Sequence, residues 1–523
     1  MKKKPITLGE PGFELVASME GKSGAIDRET SFRIALLGDF SGRASRNVCD
    51  TGDALARRRP REVDRDNLDE VLAGLGVSLR IKLPGKRSPR VELRFRELDD
   101  FHPDRIFERV GIFRSLRETR NVLQDPRTFP STSAGLRDGG PGRGAPPSSG
   151  KGTEPDIAAI AATGDLLDHV LEETEGRPPG GGKGTEWDVF LGDIVRPHLV
   201  GRDDPRQAEM VAAVDAAIAE MMRNILHHPD FQALEAAWRA VRFLTSRVET
   251  DARLTVHLID VSKAELAKDL ASTEDLRATG TYRLIAESTV ETFGAAPWAI
   301  LAGFFAFDRN REDAALLGRI AGVAARAKAP FVAEACARLL GCDALAEAPD
   351  PARWRIPAAA KKAADAWDAL RALPEAAYVG LALPRFLLRM PYGADTDPVE
   401  RFAFEEIPGE PVHGNFLWGN PAVACACMLA REFGSDPRVA SPAEARELDG
   451  LPLFVYDSGG ERRVLPCAEV VLTERAAEAI MSRGIMPLLC FKGRDAVRLA
   501  RFQSVAEPAT RLAGRREDAI RGG

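Results

Sequence analysis

Residues Asn224 to Glu249 read N-I-L-H-H-P-D-F-Q-A-L-E-A-A-W-R-A-V-R-F-L-T-S-R-V-E. Pro229 cannot continue a helix from upstream but can open the next one, after which Phe231, Leu234, Trp238, Val241 and Leu244 recur at helical spacing on one side. Phe231, Leu234 and Trp238 are the expected core of that stripe. Gln232, Glu235, Arg239 and Arg242 fall between them, which predicts an opposite face that is solvated or open to a charged partner. A buried stripe backed by charges is a packing element, and nothing in it is arranged for catalysis.

The surrounding chain has 523 residues, enough for roughly three folded units. Its 44% apolar share is that of an ordinary globular protein. A net charge of -6 and a pI near 5.9 provide no chain-wide basic field for a nucleic-acid backbone, so nucleic acid is excluded as a partner. No apolar segment of signal-peptide length follows the opening M-K-K-K-P. The longest nearly apolar run, Ala295 to Phe307, is also shorter than the ~20 residues of a spanning helix, so direct membrane insertion is not expected. Seven scattered cysteines, an odd number, predict a reducing, cytoplasmic setting.

Residues 1–30 read as a polar arm. Phe32 to Leu37 is an apolar run of strand length closed by Gly38-Asp39-Phe40-Ser41-Gly42-Arg43. A strand ending in a glycine turn invites a phosphate-loop interpretation, but the spacing lacks the lysine form that reaches phosphates. Asn67 or Asp66 can cap a short helix carrying Leu68, Val71 and Leu72 inward. Leu79–Leu83 and Val91–Arg96 alternate apolar with charged residues, predicting a hairpin with one dry face and one cationic face. Asp99 to Asp104 then opens a helix that keeps Ile106, Val110, Phe113 and Leu116 together.

Residues 131–186 are rich in Gly, Pro and Ser at both ends and read as a linker. Within it, 155–175 carries Ile157, Ile160, Leu166, Leu167, Val170 and Leu171 at amphipathic spacing. Such a helix is either disordered or offered to a partner groove. From Trp187 to Met222 a long helix is expected. Thereafter strands (Leu254 to Val261, Trp298 to Phe305) alternate with helices (from the Ser262 capping box, and Ala314 to Ala329), which predicts a mixed α/β core. Asn420 and Pro421 open a further helix that Gly434 ends. Residues 511–523 read as a polar tail.

The string I-L-H-H-P-D-F-Q-A-L-E-A-A-W-R, Ile225 to Arg239, resembles the signature of the large subunit (TssC) of the type VI secretion contractile sheath. Tyr378 to Gly393, Y-V-G-L-A-L-P-R-F-L-L-R-M-P-Y-G, is a second match, and F-L-W-G-N-P at Phe416 a third. The chain departs from the family's G-D-Y-x-F string at Gly303 to Phe307, G-F-F-A-F. Earlier segments, L-L-G-D-F-S-G-R, V-D-R-D-N-L-D-E-V and L-D-D-F-H-P-D, resemble the small subunit (TssB). The resemblance implies a fusion: a small-subunit-like domain at 31–130 and a large-subunit-like region at 187–510, together a multi-domain protomer with mixed sheets flanked by helices. It further implies a helical polymer of this chain around an inner-tube protein, seated on a baseplate, contracting to propel the tube. In that family the segment around Leu166, Leu167, Val170 and Leu171 is read by a ring-shaped AAA+ ATPase that recycles the sheath.

No residue pattern supports catalysis, a cofactor or a metal. The adjacent His227 and His228 point apart, without a carboxylate or cysteine at ligand spacing. Cys425 and Cys427 diverge on a helix, with His413 the only third candidate. Arg385 and Arg389, beside an apolar strand, require partners if buried, for which Glu405 and Glu406 are the candidates. Two alternatives stay open: a non-polymerising accessory or baseplate relative, and a nucleotide-binding enzyme built on the Gly38–Arg43 turn.

Overall fold

The computed structural model describes residues 31–84, 90–125, 207–356, 361–434 and 446–514. The expected linker helix at 155–175, the arm at 1–30 and residues 187–206 lie outside them. The strands are β1 (Phe32–Gly38), β2 (Arg61–Val63), β3 (Ser78–Lys82), β4 (Arg90–Arg94), β5 (Leu254–Asp260), β6 (Ile300–Phe307), β7 (Phe331–Ala335) and β8 (Val379–Leu383). They continue with β9 (Phe386–Leu387), β10 (Trp418–Gly419), β11 (Glu447–Leu448), β12 (Phe454–Ser458), β13 (Glu461–Leu465), β14 (Ile485–Cys490) and β15 (Val497–Leu499). The helices used below are α1 (Leu68–Leu75), α2 (Pro103–Arg109), α3 (Gly111–Gln124), α4 (Gln207–Leu226), α5 (Pro229–Thr245), α6 (Lys263–Leu270), α7 (Arg311–Ala327), α8 (Lys361–Arg371), α9 (Pro421–Gly434) and α10 (Glu474–Met481).

Nine strands form one mixed sheet in the order β11-β15-β14-β8-β7-β6-β1-β5-β2. The strands from β14 through β5 are parallel, and both edges are antiparallel. The continuous apolar run of β1 suits a strand covered on both faces. It lies between β5, in register from Phe32↔Leu254 to Gly38↔Asp260, and β6, from Ile34↔Ile300. Strands from the two parts of the chain, β1 and β2 from the first and β5 onward from the second, are therefore interleaved in one sheet. On one face Ile34 and Leu36 join a core with α4, α5 and α9; on the other Ala35 and Leu37 join a core with α6, α7, α8 and α10.

The predicted β3–β4 hairpin forms with Leu79, Ile81, Val91 and Leu93 buried. Its dry side leads to α5 through Phe95, which stacks on Phe101 at 4.1 Å and lies 6.1 Å from Phe231. The single helix expected after Asp99 is two: Val110 is extended (φ -84°, ψ 126°) between α2 and α3. A β-branched residue followed by Gly111 weakens the helix there. Both α2 and α5 begin H-P-D, and in each the histidine Nδ1 accepts the backbone N–H of the aspartate at 3.2 Å. Asn67 holds the N-cap position of α1, but its side chain accepts from the backbone N–H of Asp64.

The small-subunit-like segment also packs on the other through α3 and α4. Arg120 pairs with Asp215 at 2.6 Å, and the Gln207 amide donates to the carbonyls of Leu123 and Gln124 at 2.7 and 2.8 Å.

Gly42, in the turn after β1, has φ +77°, and a Cβ there would lie 2.1 Å from the Ser78 carbonyl oxygen. Gly42→Ala is expected to lower unfolding free energy by about 3 kcal/mol, from strain plus displacement of β3; a urea midpoint indistinguishable from wild type would show that this turn can yield.

Candidate functional site

The polar side of α5 is where the structure departs most from expectation. Glu235 is fully buried, and its carboxylate receives Arg389 (2.7 Å) and Arg239 (2.6 Å). Arg389 also pairs with Glu406 at 2.7 Å and lies over the Tyr392 ring, 4.1 Å from its centroid. The Tyr392 hydroxyl accepts from Arg239, and the Tyr392 backbone N–H donates to Glu406. His227, just before α5, puts Nε2 3.5 Å from Glu406. The signature helix is thus bolted to the R-M-P-Y segment by two carboxylates and two guanidiniums in a dry site. Burial opposes the charge on Glu406, but Arg389, His227 and the Tyr392 amide hold it down to about 2. Arg389 stays protonated well above its ordinary range, because Glu235 and Glu406 outweigh its desolvation. Phe231, Leu234 and Trp238 face the core, and the Trp238 indole donates to the Phe40 carbonyl at 2.8 Å.

Arg385 lies elsewhere. It grips Glu469 at 2.7 Å through the guanidinium and at 2.8 Å through its backbone N–H, with Glu334 3.8 Å away. Its partner is therefore Glu469, which follows β13, rather than Glu405 or Glu406. Glu405 instead accepts from the backbone N–H of Ala394. Burial lifts Glu334 to about 7, whereas His413 and Arg385 overcome burial of Glu469 and bring it to about 2.

The turn after β1 sits where open parallel sheets bind ligands, beyond the carboxyl ends of strands whose order reverses. Here the chain fills that crevice itself. Asp39 accepts the backbone N–H groups of Arg43 and Ala44, and Asp260 accepts the N–H and hydroxyl of Ser41. Arg43 and Arg58 both bind Glu265, the N3 residue of the capping box that starts α6. A phosphate would compete with carboxylates already seated on these amides. Among the described residues no His, Cys, Asp and Glu group has metal-holding geometry. His228 caps α5, and Cys425 and Cys427 are buried on α9 with thiols pushed up to about 12 by burial. No helix among the described residues is long and apolar enough to cross a membrane. Leu166, Leu167, Val170 and Leu171 lie outside the described residues.

Against known proteins, residues 208–506 match the family model VipB (EvpB/VC_A0108, tail sheath N-terminal domain), more than half of the chain. The chain belongs to the VipB tail-sheath family. Residues 17–138 match a second model, type VI secretion system VipA (VC_A0107 or Hcp2), so this sheath chain carries both segments in one polypeptide. The type VI secretion system sheath protein TssC1 of Pseudomonas aeruginosa (strain PAO1) is 33% identical over 319 residues. That alignment covers 60% of this sheath chain and 64% of the relative, less than two thirds of its length.

Arg389→Met removes the guanidinium shared by Glu235 and Glu406, leaving Arg239 on the first and only His227 and the Tyr392 amide on the second, and is expected to cost about 3–5 kcal/mol in urea unfolding. Adding Glu235→Gln and Glu406→Gln should restore part of that loss; equal and additive losses would show that the charges do not act as a unit.

Acid titration separates the groups by sign. Burial and the neighbouring Arg33 hold folded His257 down to about 4 against an ordinary 6.5, so stability present above 6.5 is lost as pH falls toward 4. Glu406 and Glu469, at about 2 against 4.5, extend that loss from 4.5 to 2. Glu334, raised to about 7, acts in reverse and costs stability as pH rises from 4.5 to 7. Melting curves of His257→Gln should be flatter between pH 6.5 and 4 than wild type, and those of Glu334→Gln flatter between 4.5 and 7.

Proposed function

We propose that this chain is a fused protomer of a contractile type VI secretion sheath, a structural and non-enzymatic subunit that polymerises helically around an inner tube in the cytoplasm and contracts to drive it outward. The observation that carries this is the presence of VipA-type and VipB-type segments in one chain whose β1 is hydrogen-bonded between β5 and β6. Fusion fixes a one-to-one ratio of the halves. A sheath needs subunit contacts with two packings of similar energy, so that small differences per interface add along the polymer and are released together. The inner tube, a baseplate and a ring-shaped AAA+ recycling ATPase are the partners that accompany this role, with 155–175 as the segment offered to the ATPase.

Coexpression with the candidate tube protein followed by negative-stain electron microscopy is expected to show hollow tubes of regular pitch; discrete particles alone would favour the accessory role. Because the turn amides at 41, 43 and 44 are already occupied, nucleotide with magnesium should leave the melting temperature unchanged, and a concentration-dependent rise would revive the enzyme alternative. Replacing Leu167 and Leu171 with Asp should abolish capture by the recycling ATPase while tubes still form; loss of tubes would place that segment in the sheath wall instead.

A further inference from the structure

At the amino end of the central strands the charge balance is incomplete. Arg33 on β1 is half-buried and has no ion pair among the described residues. Its guanidinium lies 4.2 Å from the Trp298 ring centroid, donates to the Ala296 carbonyl, and meets His257 Nε2 at 3.4 Å. That imidazole cannot serve as counterion, and Thr255 already lies 3.0 Å from the same nitrogen. Glu62, the register partner of His257, reaches Arg33 only through its field. Two half-buried arginines elsewhere are better satisfied: Arg319 donates to the carbonyls of Leu270, Thr273 and Glu274, and Arg247 to those of Asp449 and Gly450. Beneath Arg33, Trp298 is 1% exposed and its indole N–H has no acceptor among the described residues. Beside it the loop before β6 presents Phe293 fully to solvent, three residues from the Ala296 that Arg33 binds.

A half-buried guanidinium costs free energy until a carboxylate meets it. An exposed aromatic next to an arginine is the composition found at the centre of protein interfaces. A second copy brings the complementary charge, since this chain carries 78 acidic against 72 basic side chains. We propose that Arg33, flanked by the Phe293 loop, receives a carboxylate side chain from a second copy of this chain when the sheath assembles. This rests on the sheath reading and names one of its subunit contacts.

Arg33→Gln in the full chain should raise the concentration needed for assembly by at least about tenfold. The melting temperature of the dilute, unassembled chain should stay level or rise, because the charge removed there is uncompensated. Phe293→Ser should weaken assembly in the same direction. The occupant is identified with Arg33→Lys, mixing nitrogen-14 and nitrogen-15 preparations and coupling amine to carboxylate with a carbodiimide. Cross-links from position 33 joining light to heavy peptides are expected. Cross-links confined to one isotope would assign the site to the chain's own carboxylate and overturn the proposal. So would an Arg33→Gln chain that assembles like wild type, or one that melts lower without assembling less readily. A wild-type chain that never assembles removes the sheath reading itself, whereas an assembling wild type with an indifferent Arg33→Gln removes this contact alone.

Discussion

The parallel hydrogen bonding of β1 on both edges is the constraint on which the molecule rests. A strand near the start of the chain closes the gap between two strands more than 200 residues later, with seven register pairs on the β5 side. Without it, β5 and β6 would each expose a row of backbone N–H and C=O groups in the middle of the sheet, where water cannot reach them. Both hydrophobic cores also pass through β1, since alternate side chains belong to opposite faces. The sheet cannot form from either segment alone, and this contact order demands that loop entropy be overcome before the central pairing stabilises anything.

Around that strand, charge fixes orientation where apolar packing would tolerate sliding. Arg389 is held by Glu235 of the signature helix and by Glu406 of the following loop, with Tyr392 closing the set. Desolvating three charges is expensive, and apolar substitutes of similar volume are often as stable. A fork of hydrogen bonds, however, accepts only one rotation of α5 against the loop. The Glu265 cluster repeats the device on the other side of β1, tying Arg43 and Arg58 to the capping box of α6.

Local patterns in the sequence were legible where local physics decides them. The Ser262 capping box, the proline start of α5, the alternating β3–β4 hairpin and the Asn420 cap each form from neighbouring residues. Glu235 lies on the face expected to be solvated or open to a charged partner, yet it is fully buried: besides Arg239 it meets Arg389, 154 positions away, whereas helical periodicity assigns every charge between apolar positions to the outside. Arg385 likewise found Glu469, 84 residues on, instead of the nearer acids. The apolar run of β1 announced a buried strand without saying which strands would flank it, since any covered parallel position takes the same residues. The break at Val110 was missed because the apolar spacing continues smoothly across it.

The hydrogen bonds from Gln207 to Leu123 and Gln124 place the end of α3 against the start of α4. The last described residues of α3 and the first of α4 are thus adjacent, although roughly eighty positions separate them in the chain. For a connection whose two ends already meet, length enters only logarithmically, at about 4 kcal/mol of closure entropy for roughly eighty residues. Cutting it would turn one polypeptide into two, leaving concentration to do what covalent continuity does now. One-chain and two-chain versions of this architecture are, in that sense, neighbouring solutions separated by a single peptide bond.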